Sequence, residues 1–71
     1  MREQIAVIIP AYNEELTIKQ VILDFHNQLP HSAIYVIDNN STDKTNEIAV
    51  KTLLTNEIEG KVLFVKEKVI A

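Results

Sequence analysis

A Rossmann-like β-α-β-α-β parallel sheet is the fold class the sequence predicts, and three observations predict it. Ile5-Ala6-Val7-Ile8-Ile9 is an unbroken apolar run rich in β-branched residues, and Ala33-Ile34-Tyr35-Val36-Ile37-Asp38 repeats the pattern before turning polar. Between and beyond these runs, apolar residues return at spacings of three and four, the signature of helices with one buried face. Strands alternating with helices over short connections give a parallel sheet joined by right-handed crossovers.

The first strand, residues 4–9, has no polar alternation and reads as a strand covered on both faces. Pro10-Ala11-Tyr12-Asn13 then turns the chain. A helix starts near Asn13, a good N-cap, with Glu14 and Glu15 in its positive first turn. It buries Ile18, Val21, Ile22, Phe25 and Leu29 and ends before Pro30. After the second strand, Ala33 to Asp38, the turn Asn39-Asn40-Ser41-Thr42-Asp43 carries capping side chains. The second helix runs from Thr42 or Asp43 into the mid-fifties and buries Ile48, Ala49 and Leu53 or Leu54. Gly60 precedes a third strand, Lys61 to Val65, and Lys66-Glu67-Lys68 reads as its solvated exit. His26 and His31, near the far end of the first helix, read as surface histidines without catalytic duty.

A chain of 71 residues is one small unit, and at this size only about 60% of the unfolded surface is buried. It has no cysteine for disulfides or thiolate metal sites, so a reducing cytoplasm is the expected compartment. Net charge is −3 with the signs interspersed, which leaves no basic stripe for nucleic acid. The run Ile5 to Ile9 is too short to span a bilayer.

In an open parallel sheet, ligands lie beyond the carboxyl ends of the strands, where loops lead into helix N-termini. Two polar clusters fall there, Pro10-Ala11-Tyr12-Asn13-Glu14 and Asp38-Asn39-Asn40-Ser41-Thr42-Asp43. Neither is a glycine-rich phosphate loop, since Gly60 is the sole glycine, and dinucleotide dehydrogenases and P-loop proteins are disfavoured.

The segments Val7-Ile8-Ile9-Pro10-Ala11-Tyr12-Asn13-Glu14 and Val36-Ile37-Asp38-Asn39-Asn40-Ser41-Thr42-Asp43-Lys44-Thr45 together resemble the opening of the family 2 glycosyltransferases, which have the GT-A fold. The resemblance extends through Val62-Leu63-Phe64-Val65. It implies that the two loops hold the nucleotide of a nucleotide-diphosphate sugar. Tyr12 would lie against the base, Pro10 and Ala11 would offer backbone contacts, Glu14 would approach the ribose hydroxyls, and Asp38 would accept from the ring N–H of the base. An aromatic face suits stacking, and an acceptor-only carboxylate selects bases that present a donor. Beside these roles stand plainer ones: Glu14 complements a helix dipole, Asp38 caps a turn, and Asn13, Ser41 and Asp43 cap helix starts. Asn40 stands where relatives often carry glycine, a mild departure because Asn tolerates left-handed backbone. Val69-Ile70-Ala71 departs from the lysine- and glycine-containing stretch that relatives often show there.

The resemblance also implies what lies elsewhere in complete relatives: an Asp-x-Asp motif holding a divalent metal, Mn or Mg, on the donor diphosphate, and a general-base carboxylate. No Asp-x-Asp occurs in this sequence, so no catalytic or metal-binding residue is expected in it, and residues 1–71 read as a partial nucleotide-sugar-binding domain without activity alone. Some relatives act at membranes, so membrane association of the parent protein is left open. A second reading is a non-catalytic nucleotide-binding or self-associating module: with no later strand beside it, the first strand offers an apolar edge that pairs with another copy, giving a homo-oligomer. A third, a flavodoxin-like receiver, is weak because no carboxylate precedes Glu14 at the end of the first strand.

Overall fold

The computed structural model describes residues 4–66 as β1 (Ala6–Ala11), α1 (Ile18–Gln28), β2 (Ala33–Asp38), α2 (Thr45–Thr55) and β3 (Gly60–Phe64). The three strands form one parallel sheet in the order β1-β2-β3. Ala11 lies beside Asp38, and Asp38 beside Phe64, so the sheet brings the ends of β1 and β2 level. The β-α-β-α-β expectation therefore holds. The last two residues of the expected strand exit, Glu67 and Lys68, and the Val69-Ile70-Ala71 departure lie outside the described residues.

One expectation about β1 fails. Ile9 and Ala11 are buried and Val7 half-buried, but Ile8 is 60% exposed. Along β2 the same alternation separates fully buried Ile34, Val36 and Asp38 from half-buried Tyr35 and Ile37. Two crossovers of the same hand, each stepping one strand along the sheet, place both helices on one face. Accordingly α1 packs on α2, α2 packs on β2 and β3, and Ile18, Ile22, Ala49, Leu53 and Ile58 join Ile9, Ala11, Ile34 and Val36 in one core. The opposite face, with Ile8, Tyr35, Ile37 and Leu63, is uncovered among the described residues. β1 also runs past Pro10 rather than stopping at Ile9. A residue without an N–H is tolerated in a strand that lies at the sheet edge, as β1 does.

The helices begin later than expected. α1 starts at Ile18, its first i→i+4 bond being Ile18 N–H to the Glu14 carbonyl at 2.8 Å, so Glu14 and Glu15 precede its first turn. Asn13 adopts φ 50°, a left-handed conformation incompatible with the N-cap role assigned to it. Ile18 and Ile22 are buried as expected, whereas Phe25 and Leu29 at the far end are more than a third exposed. In α2, Ala49 and Leu53 face the core and Leu54 points out, which resolves the alternative left open by the sequence.

α2 closes in a Schellman motif. Ile58 N–H donates to the Leu53 carbonyl at 2.9 Å and Glu57 N–H to Leu54 at 3.3 Å, with Glu57 at φ 53° where glycine is usual. Ile58 then packs on Leu53 in the core, and β3 starts at Gly60. Gly60 has φ +142°, and a Cβ there would lie 1.7 Å from the Ile34 carbonyl oxygen, so only glycine lets β3 approach β2. No helix among the described residues is long and apolar enough to cross a membrane.

Candidate functional site

At the carboxyl end of the sheet, the loop after β1 and the loop after β2 exchange hydrogen bonds in both directions. The successive N–H groups of Asn13, Glu14 and Glu15 donate to Ser41 Oγ at 2.9 Å, Thr45 Oγ1 at 2.7 Å and Asp43 Oδ2 at 3.2 Å. In return, Thr42 N–H donates to Asn13 Oδ1 at 2.9 Å and Lys44 N–H to Glu15 Oε2 at 3.3 Å. One backbone bond, Asn39 N–H to the Ala11 carbonyl at 2.8 Å, completes the join. Each loop thus supplies side-chain acceptors for the other's backbone, which satisfies N–H groups that neither helix can accept from within itself.

Asn13 and Ser41 are therefore cross-loop ties rather than the helix caps expected of them. Asp43 does both jobs. Its Oδ1 accepts from Thr45 N–H at 2.9 Å and from the Thr45 hydroxyl, while its Oδ2 reaches across to Glu15. Partial burial pushes the Asp43 pKa up, but the bonds from the Thr45 hydroxyl, Thr45 N–H and Glu15 N–H outweigh it and hold the carboxyl below its ordinary value. Asn40 takes φ 60°, the left-handed conformation expected where relatives carry glycine.

Asp38 terminates β2 and is fully buried. Its Oδ1 accepts from Ser41 N–H at 3.0 Å, whereas its Oδ2 is buried with no partner among the described residues. Asn39 Oδ1, on the next residue, is in the same condition. Two enclosed acceptors on successive residues at the end of the central strand are thus left unfilled by donors of the described residues. Tyr12 is 45% exposed at the end of β1 and is fixed on either side: Ala11 by Asn39, Asn13 by Ser41. Pro10 is exposed. Ala11 is buried, and its carbonyl accepts from Asn39 N–H. The Glu14 carboxylate is exposed, with Oε2 accepting from the Thr17 hydroxyl at 3.1 Å.

The residues expected at the site thus meet at one end of the sheet. Sequence reasoning passed over Asn39 and Thr45. Both lay within the quoted motif, and a buried threonine at a helix start is a signal only once burial is known. Away from this end, a recess of about 500 Å³ opens at the amino ends of the strands, lined by Gln4, His26, His31, Ser32, Glu57 and Glu59. His31 is exposed as expected, whereas His26 is half-buried with its Nδ1 enclosed. Among the described residues, no three His, Cys, Asp or Glu side chains come together as metal ligands. The described residues therefore do not fit the divalent metal expected of complete relatives.

Comparison with known proteins joins this geometry to a family. Protein RfbJ of Shigella flexneri is 58% identical over 45 residues, a match covering 63% of this chain and 35% of that protein. The chain thus spans about a third of the length of this relative. None of the solved structures matches. Residues 6–68, from the first residue of β1 to beyond β3 and including both cross-tied loops, match glycosyl transferase family 2, and the chain belongs to that family.

Proposed function

We propose that the two cross-tied loops grip the nucleotide of a nucleotide-diphosphate sugar, and that the complete protein transfers the sugar to an acceptor. The observation that carries this reading is Asp38, fully buried at the end of the central strand with Oδ2 lacking a partner among the described residues. A buried acceptor left unfilled costs about 1–3 kcal/mol, a cost that a ring N–H of the base offsets on binding. Uracil, thymine and guanine each present such a donor. Tyr12 supplies the stacking face, Pro10 and Ala11 the backbone floor, and Glu14 the acceptor for ribose hydroxyls. Titrating UDP, GDP and dTDP into the chain while following the Tyr12 and Asp38 resonances by NMR tests this. Specific shifts at both residues with one of the three are expected, and no response to any of them sinks the reading.

The chain alone holds the donor without transferring sugar, and the divalent metal, Mn or Mg, belongs to residues outside it. It works in a reducing cytoplasm, for which a cysteine-free sequence is suited. Sugar transfer by the isolated chain with added manganese, above that of a Tyr12→Ala/Asp38→Asn double variant, would overturn the claim of inactivity.

A second reading, self-association, is favoured by one observation. β1 is an edge strand among the described residues, and Ile5, just before it, and Ile8, on it, are each more than half exposed. Pairing of β1 with a second copy shields both residues. Sedimentation at micromolar concentration is expected to give a dimer that Ile8→Lys disperses; a monomeric wild type rejects this reading.

A further inference from the structure

We infer that Thr45 is a positioning residue, the hydroxyl through which the second loop fixes the conformation of the first. Thr45 opens α2 and is fully buried, whereas a hydroxyl at a helix start ordinarily faces water. It carries one proton, and that proton goes to Asp43 Oδ1. Its lone pair is left to accept Glu14 N–H at 2.7 Å, the shortest of the three bonds that capture the amides of residues 13 to 15. Asp43 thus acts on the first loop twice, directly at Glu15 N–H and, through the Thr45 hydroxyl, at Glu14 N–H. A hydroxyl that donates to a carboxylate is polarised into a better acceptor, so the two bonds strengthen one another.

Glu14 also supplies the carbonyl that receives the first helical bond of α1. Thr45 therefore sets where α1 begins and, through left-handed Asn13, how the chain leaves Tyr12. This geometry stands independently of the ligand; its consequence for binding rests on the nucleotide reading above.

Three variants of the 71-residue chain test it, with amide hydrogen exchange measured without ligand and UDP, GDP and dTDP affinity measured by NMR. Thr45→Val removes the hydroxyl at nearly constant shape, and Thr45→Ser keeps it. Thr52→Val is the control, because Thr52 is also buried but its hydroxyl bonds the Ile48 carbonyl inside α2 and, among the described residues, nothing in the first loop. Thr45→Val is expected to speed exchange at Glu14 N–H about ten-fold relative to amides of β2, and to weaken binding of the preferred nucleotide by a similar factor. Thr45→Ser is expected to restore both, and Thr52→Val to change neither. Unchanged Glu14 exchange in Thr45→Val, or equal acceleration in Thr52→Val, overturns the inference. Should Thr45→Val fail to fold, Asp43→Asn carries the test, with faster exchange expected at both Glu14 and Glu15 and unchanged rates overturning it. A wild type that binds no nucleotide but shows the exchange pattern removes the proposed function and leaves the clamp. Fast Glu14 exchange with unaltered nucleotide affinity removes the positioning role instead.

Discussion

The two ends of the same three strands are held together by different chemistry. At the amino end the ties that cross the chain run mostly from backbone to backbone: Ala33 N–H to the Ile5 carbonyl at 2.9 Å and Ile34 N–H to Glu59 at 2.8 Å, with Gln4 to Glu59 as a side-chain bond on the surface. At the carboxyl end, beside the backbone bonds Asn39 to Ala11 and Val65 to Asp38, the ties between the two loops run from backbone to named side chains, Asn13, Glu15, Ser41, Asp43 and Thr45. Backbone ties ask little of sequence, because almost every residue has the same N–H and C=O. Side-chain ties demand particular oxygens at particular positions. The carboxyl end is therefore where the sequence is specific, and it is also where a buried acceptor has been left open.

The amino end has one position at which identity is decisive, and breaking it is expected to have the largest effect. Gly60→Ala drives a Cβ into the Ile34 carbonyl and forces alanine to φ +142°. We expect a loss of about 3 kcal/mol or more, read as a lower urea midpoint or outright unfolding. A loss under about 1 kcal/mol would mean that β3 can shift away from β2 at little cost.

At the carboxyl end, Asp38→Asn separates stability from function. Asparagine keeps an oxygen for Ser41 N–H but puts an amide group where the unpartnered Oδ2 now lies. Nucleotide affinity is expected to fall at least about ten-fold, while stability stays level or rises by up to about 1 kcal/mol. Calorimetric titration and urea unfolding of one sample check both. A large loss of stability would make Asp38 a structural residue and remove the contrast between the ends.

How much of this was legible in the sequence follows the same division. β2 was read with its bounds intact, because six residues of apolar pattern ending in Asp38 leave little choice. The sequence places the start of α1 near Asn13 whereas it lies at Ile18, since capping and cross-loop bonding use the same chemistry, a short side-chain oxygen accepting an N–H. Local rules give that oxygen to the nearest helix; here Asn13 gives it to Thr42, 29 residues on. The exposed face of β1 was missed for a related reason. An all-apolar run reports what a strand can bury, whereas coverage depends on which side both crossovers take. Glu57 gave no warning of its left-handed turn, because tertiary packing of Ile58 on Leu53 selects that conformation.

Ser41→Ala is a smaller break at the carboxyl end. It deletes the acceptor of Asn13 N–H but leaves Asp38 Oδ1 its bond to the backbone N–H of residue 41. The expected cost is about 1 kcal/mol, with faster exchange confined to Asn13 and its neighbours. Exchange that also rises at Ala33 and Ile34 would show the two ends to be one cooperative unit, and the comparison would then describe bonding chemistry alone.

Acid sharpens the contrast with the smallest effect and no substitution. The Asp43 carboxyl has its pKa lowered in the folded chain, so the stability it contributes is fully present above its unfolded value, about 4. That contribution is lost as pH falls through the lower folded-state value. Protonation leaves an oxygen that must donate rather than accept, which weakens its hold on Glu15 N–H and on the Thr45 hydroxyl together. The backbone ties of the amino end have no titrating group. Below about pH 4, protection at Glu14 and Glu15, corrected for intrinsic exchange, is therefore expected to fall before protection at Ala33 and Ile34. Asp43→Asn is expected to abolish this early step and leave only the later, common one. A single common step in wild type, or an early step that persists in Asp43→Asn, would mean that Asp43 does not govern how the carboxyl end opens.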